Sequence, residues 1–193
     1  MIDRTHIVPG FATVVNDGLS GGRMLTDYLL SRGYEHIVFV SNHPLAHAAT
    51  LRDRYHGYIT ALLRAGRSIY QTTCYLLPDS TDQNTHAYQN LLSLLRDTGE
   101  STALLCVSDP VAISLMSFLQ ANGLRVPEDV AVTGFDNLAL SSRTTPPLTT
   151  VEQDFCRVAR IAGGMLLSAM EDGDAPPVVQ QVPVSLVIRE SAC

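Results

Sequence analysis

Four short apolar runs, HIVFVS (36–41), TCYLL (73–77), TALLCV (102–107) and VAVTGF (130–135), constrain the fold more than any other feature of the chain. Each run is continuous and rich in β-branched residues, the pattern of strands buried on both faces of a parallel sheet. Helical periodicities fill the intervals. Leu51, Tyr55, Tyr58, Ile59, Leu62 and Leu63 share one stripe that Gly66 stops, and Leu91, Leu92, Leu94 and Leu95 mark a second helix. Val111, Leu115, Phe118 and Leu119 mark a third, closed by Gly123, and a further helix over 18–32 precedes the first strand and ends at Gly33. This order predicts an α/β chain with a parallel, Rossmann-like sheet and right-handed crossovers.

After Thr150 the pattern changes. Phe155, Val158, Ile161, Ala162, Met165, Leu166 and Met170 define a long amphipathic helix over 154–171, and VVQQVPVSLVIRE supplies a last strand broken at Pro183. Pro146 and Pro147 hold the link into this helix extended and stiff. A rigid link fits a chain passing from one lobe to another.

In open parallel sheets ligands sit outside the carboxyl ends of the strands. Those ends carry polar pairs in series here: Ser41-Asn42, Pro78-Asp79, Ser108-Asp109 and Asp136-Asn137. Any one pair reads equally well as a loop or a helix cap, Asp109 before Pro110 above all. Four in phase point to a binding crevice.

Composition narrows the function classes. With 193 residues, 46% hydrophobic and 17% charged, the chain suits one large or two small globular domains with a real core. Its net charge is −6 and it has no Lys/Arg run, so the chain itself is a poor grip for nucleic-acid phosphates. Cys74, Cys106, Cys156 and Cys193 form no CxxC pair and no metal-ligand spacing, and Cys106 lies in an apolar run where a thiol is an inert core residue. MIDRTHIVPGF lacks the apolar stretch of a signal peptide and no run is long enough to cross a bilayer, so the expectation is a cytoplasmic protein with reduced thiols. Catalytic signatures are missing as well: there is no GxSxG elbow, P-loop or GxGxxG. His43 and His47 are four apart, but Pro44 follows His43 and no acid has zinc-site spacing. Asp109 and Asp136 as an acid/base pair would lack a nucleophile and oxyanion donors. The expectation is therefore no enzyme, no cofactor and no metal.

Several ordered motifs resemble the lactose/galactose-repressor family of bacterial transcription regulators. They are D-G-x-x-G-G (17–22), R-G-Y (32–34), R-x-x-G-Y (54–58), G-L-R-V-P-E-D-V-A-V (123–132), G-F-D-N (134–137), P-P-L-T-T-V-E-Q (146–153) and V-S-L-V-I-R-E-S (184–191). The resemblance covers nearly all of the chain in the right order. It implies an effector-binding domain of the type I periplasmic-binding-protein fold, made of two lobes. By this analogy, residues 1–17 and 151–177 belong to part of an N-terminal lobe. Residues 18–150 and 178–193 form the C-terminal, effector-binding lobe, and Pro146-Pro147 sits at a crossing between the two. Family members carry a helix-turn-helix region and the first half of the N-terminal lobe ahead of this region. Operator DNA would be contacted only through that headpiece, which this chain lacks.

The same resemblance implies site residues. Arg54 matches the arginine that reaches ligand hydroxyl or carbonyl groups. On a helical wheel it lies about 60° from Leu51 and about 40° from Tyr58, at the edge of the buried stripe; a snorkelling surface arginine is the plain alternative. Asp136 matches the acid that accepts hydrogen bonds from the ligand, Gln153 a glutamine in the same network, and Phe155 a nearby packing residue. Ser108 stands where an asparagine often contributes, and Asp79 about where an aromatic platform is often found, so a stacked pyranose is less assured. The implied partners are a small polar effector of the sugar class and a second copy of the chain. The dimer surfaces are helix 110–122, with Ile113 and Met116 beside its core stripe, and loop 138–146, with Thr144. A sugar-binding protein of a transport system shares the fold and is the main alternative; a bare interaction module is another.

Overall fold

The computed structural model describes residues 11–68, 74–78, 85–97, 101–172 and 178–193. The elements in chain order are β1 (Thr13–Asn16), α1 (Gly18–Ser31), β2 (His36–Ser41), α2 (Ala49–Arg64), β3 (Cys74–Leu76), α3 (His86–Asp97), β4 (Thr102–Cys106) and α4 (Asp109–Ala121). They continue with β5 (Ala131–Thr133), β6 (Thr150–Glu152), α5 (Phe155–Asp172), β7 (Val179–Val182) and β8 (Ser185–Val187). All four apolar runs are strands of one sheet, in the order β3-β2-β4-β5, and every pairing in it is parallel. Their apolar side chains on both faces explain the burial of Val38, Phe39, Val40, Leu104, Leu105 and Val132, each at most 1% exposed. Gly33, Gly66 and Gly123 end α1, α2 and α4 at φ of +86°, +71° and +81°, a left-handed backbone that glycine adopts without a Cβ penalty.

Helices α1 and α2 cross closely enough to exclude any side chain at the contact. A Cβ on Gly22 would lie 2.1 Å from the Arg54 carbonyl oxygen, and one on Gly57 2.1 Å from that of Leu19. The glycines of D-G-x-x-G-G and R-x-x-G-Y are thus the two halves of one helix crossing, which fixes the backbone that carries Arg54. Tyr58 locks the same helix to the sheet by donating to the Ile37 carbonyl at 2.7 Å. Burial, with Tyr55 alongside, pushes its phenol well above the ordinary range, so it stays a donor.

A smaller unit stands apart from this core. β1 pairs in parallel with β7, and Val14, Val182 and Val158 of α5 form its buried cluster with Ile161, Ala162 and Met165 against it. Two expected boundaries move accordingly. Val179–Val182, expected with the larger lobe from residue 178 on, pairs with β1 instead, and the chain rejoins the larger core beyond Pro183, where β8 pairs antiparallel with β6. Residue 151 does not open the smaller unit, because Val151 is fully buried in the main core.

The two prolines also lie elsewhere than expected. Thr149 bridges Thr133 and Glu152 bridges Asp136, both in parallel, while Gly134 and Asp136 donate their amides to the carbonyls of Thr149 and Val151. Residues 148–152 therefore run beside β5 toward its carboxyl end. Pro146 and Pro147 start this run at the opposite, amino end of the sheet, next to the end of α4. Proline lacks the N–H that a mid-strand residue must donate, so the start of a strand tolerates it. The crossing between units falls at 153–155 instead. Among the described residues, no helix is long and apolar enough to cross a membrane.

Candidate functional site

The carboxyl ends of the strands bring three of the expected residues together. Arg54 reaches over from α2 and is 8% exposed. Its Nη1 donates to the Val107 carbonyl at 2.5 Å, its Nη2 lies 3.7 Å from Asp136 Oδ1, and its guanidinium carbon sits 4.0 Å above the Phe135 ring centroid. The plain alternative, a snorkelling surface arginine, is ruled out by that burial. A buried guanidinium is tolerable because a carbonyl, a carboxylate and a π face together replace its water. Gln153 donates from Nε2 to the same Asp136 Oδ1 at 2.5 Å. An arginine, a carboxylate and an amide from three separated segments thus converge on one point, where the chain leaves the large core for α5.

The turn that presents Asp136 is unusual. Asp136 and Asn137 have φ of 130° and 54°, a region costly for residues with a Cβ, at about 1–3 kcal/mol each. Side-chain bonds hold the turn from outside. Asn137 donates to Glu152 Oε1 at 3.1 Å and accepts from Arg189 Nη2 at 2.7 Å, while Arg189 Nη1 donates to the Leu148 carbonyl at 2.7 Å. Sequence reasoning missed these roles of Phe135, Asn137, Glu152 and Arg189. The only signal was their presence in the G-F-D-N, P-P-L-T-T-V-E-Q and V-I-R-E-S motifs.

The other expected residues fare differently. Ser108 lies two residues beyond β4 at the N-cap of α4, half-buried, and its side chain makes no capping bond. Asp79 lies outside the described residues. Phe155 opens α5 and is 51% exposed. Asp109, grouped by sequence with the crevice residues, is turned inward and fully buried. Met116, expected on a dimer surface, is 3% exposed and part of the main core. Helix α4 buries a wider face than the stripe of Leu115, Phe118 and Leu119 implies. Ile113 is only partly buried against that core, and Thr144 is half-buried with its hydroxyl on the Pro146 carbonyl at 2.7 Å. His43 and His47 sit with ring centroids 6.4 Å apart, and among the described residues no cluster of three or more metal-binding side chains occurs. An open groove of about 500 Å³, lined by Gln120, Leu124, Val126, Thr145, Pro146 and Glu190 among others, lies at the amino end of the sheet. It is remote from this chemistry.

Comparison with known proteins agrees with the geometry. The model of a periplasmic binding protein-like domain matches residues 26–192. The HTH-type transcriptional repressor PurR of Vibrio campbellii is 30% identical over 178 residues, covering 92% of this chain and 52% of the relative. That of Vibrio atlanticus is 33% identical over the same shares. The chain spans about half the length of these curated relatives. Among solved structures, a transcriptional regulator CelR–cellobiose complex has a TM-score of 0.82 at 28% identity, covering 98% of this chain and 57% of that one. A LacI family transcriptional regulator from Enterococcus faecium with bound ribose has a TM-score of 0.85 at 22% identity, covering 100% and 69%, which speaks to the fold. A parallel sheet with its polar residues converging at the carboxyl ends and a matching domain model carry one conclusion: the chain belongs to the periplasmic binding protein-like domain family, and it is similar to the corresponding part of PurR repressors and of LacI family regulators.

Proposed function

We propose that this domain binds a small polar effector, of the sugar class, between the carboxyl ends of the large sheet and the β1–β7–α5 unit, and that binding regulates a DNA-binding protein of which it is a part. The observation that carries this reading is the convergence of Arg54, Asp136 and Gln153. Arginine donates only, the carboxylate accepts only and the amide does both, so together they match a neutral polyhydroxylated ligand whose hydroxyls donate and accept. Relatives bound to ribose and cellobiose support the class. The crossing at 153–155 joins the two units beside Asp136, so a ligand that contacts both favours one arrangement of them over another, the differential contact that an allosteric change requires. Operator contact belongs to a helix-turn-helix region outside this chain, and the location is the cytoplasm. The domain has no catalytic role. The transport-protein reading gives way because the sequence relatives are repressors.

Titration calorimetry with ribose, cellobiose and D-xylulose tests the site. A hydrogen bond to a charged group contributes roughly 1.5–3 kcal/mol, so Arg54→Ala and Asp136→Ala should each weaken binding roughly ten- to a hundredfold. Two variants that bind as tightly as the unaltered chain would show that this cleft is not the effector site.

A further inference from the structure

We infer that Asp109, which no family role above covers, is the positioning residue that sets the shape of the effector turn; the inference rests on the proposed site around Asp136. Its side chain is fully buried and accepts three hydrogen bonds. Oδ2 takes the Leu138 amide at 2.8 Å and the Ser141 hydroxyl at 2.5 Å, and Oδ1 takes the Thr150 hydroxyl at 2.5 Å. Its own amide donates to the Phe135 carbonyl at 2.7 Å.

These bonds bracket the site. Phe135 and Leu138 are the residues immediately before and after Asp136 and Asn137, whose φ values are 130° and 54°. One buried residue therefore grips both ends of the left-handed pair from α4. Through Thr150 the same carboxylate holds the strand that delivers Gln153 to Asp136 three residues later. The fit leaves no slack, since a Cβ on Gly134 would lie 2.3 Å from Asp109 Oδ1. A carboxylate is suited to this post because it is acceptor-only on both oxygens, so all three donors are served without a competing N–H. The left-handed pair would otherwise relax toward an ordinary backbone and swing Asp136 off Gln153 and Arg54.

Amide hydrogen exchange tests this without any effector. In Asp109→Ala, peptides spanning 134–142 and 148–153 should exchange roughly tenfold faster or more, while 36–41 and 102–106 stay within about twofold. Should that variant fail to fold, Ser141→Ala combined with Thr150→Val removes two of the three donors and should raise exchange in the same two peptides only. Unchanged exchange at 134–142, or a rise spread evenly over all four peptides, would overturn the inference. Titration with ribose separates it from the proposed function. If ribose binds, Asp109→Ala alone should weaken it, and in an Asp136→Asn background it should weaken it clearly less; fully additive losses count against a role through Asp136. A chain that binds no ribose counts against the sugar reading alone, and the exchange pattern still decides the role of Asp109.

Discussion

The large sheet and the β1–β7–α5 unit are built from similar residues yet hold together differently. The first encloses Phe39, Leu104, Leu105, Leu115 and Leu119 at 1% exposure or less, under helices packed on it. Among the described residues, the second gathers just Val14, Val158 and Val182 into its buried apolar cluster, while Leu166, Leu167 and Met170 on α5 are 63%, 62% and 74% exposed. Helix α5 is more strongly amphipathic than α4 yet belongs to the smaller core, because burial depends on how much sheet lies beneath a helix. Stability resides in the large unit and adaptability in the small one, with the Arg54–Asp136–Gln153 cluster at the seam. An effector there would have a rigid wall on one side and a movable one on the other.

The contrast can be broken by substitution. Leu104→Ala should cost about 2–5 kcal/mol in denaturant unfolding, the usual range for a buried leucine. Gly57→Ala should cost about 1–3 kcal/mol by overpacking the α1–α2 crossing, with a loss of effector affinity because Arg54 shares that backbone. Val158→Ala should cost only about 1–2 kcal/mol from its lost methyl groups, and an unfolding loss as large as that of Leu104→Ala would contradict the ranking. Self-association sharpens the comparison from outside. Leu138 and Leu140 are 40% and 56% exposed, and exposed apolar residues of this kind mark interfaces. Sedimentation should give a dimer that Leu140→Asp converts to monomer without loss of fold, whereas a monomeric unaltered chain at high micromolar concentration would refute the interface. Thiol labelling perturbs the fold least. Burial raises the Cys106 thiol far above its ordinary value, so it should resist alkylation at neutral pH until the large unit unfolds, while exposed Cys156 and Cys193 react at once.

How legible a feature is in the sequence depends on how local its determinants are. The strands were readable because burial on both faces forces a continuous apolar run, and the helix ends because Gly33, Gly66 and Gly123 stop them. Arg54, Asp136 and Gln153 were found through motifs, and their convergence follows from where parallel strands end. What escaped notice depends on distant partners. Asp109 looked like a helix cap because Leu138, Ser141 and Thr150 lie 29, 32 and 41 positions away. Pro146-Pro147 was placed at a crossing between lobes because the ring chemistry of proline does not say at which end of a strand it lies. Met116 was misread because the wide face of α4 is defined by neighbours from other elements.

A crystal structure of the chain with ribose or cellobiose is the most direct test of the central claim. The account predicts ligand hydroxyls within about 3 Å of the Asp136 carboxylate and the Arg54 guanidinium, with α5 drawn toward the large sheet. A sugar held instead in the groove between the end of α4 and Pro146, with Arg54 still bound to the Val107 carbonyl, would contradict it.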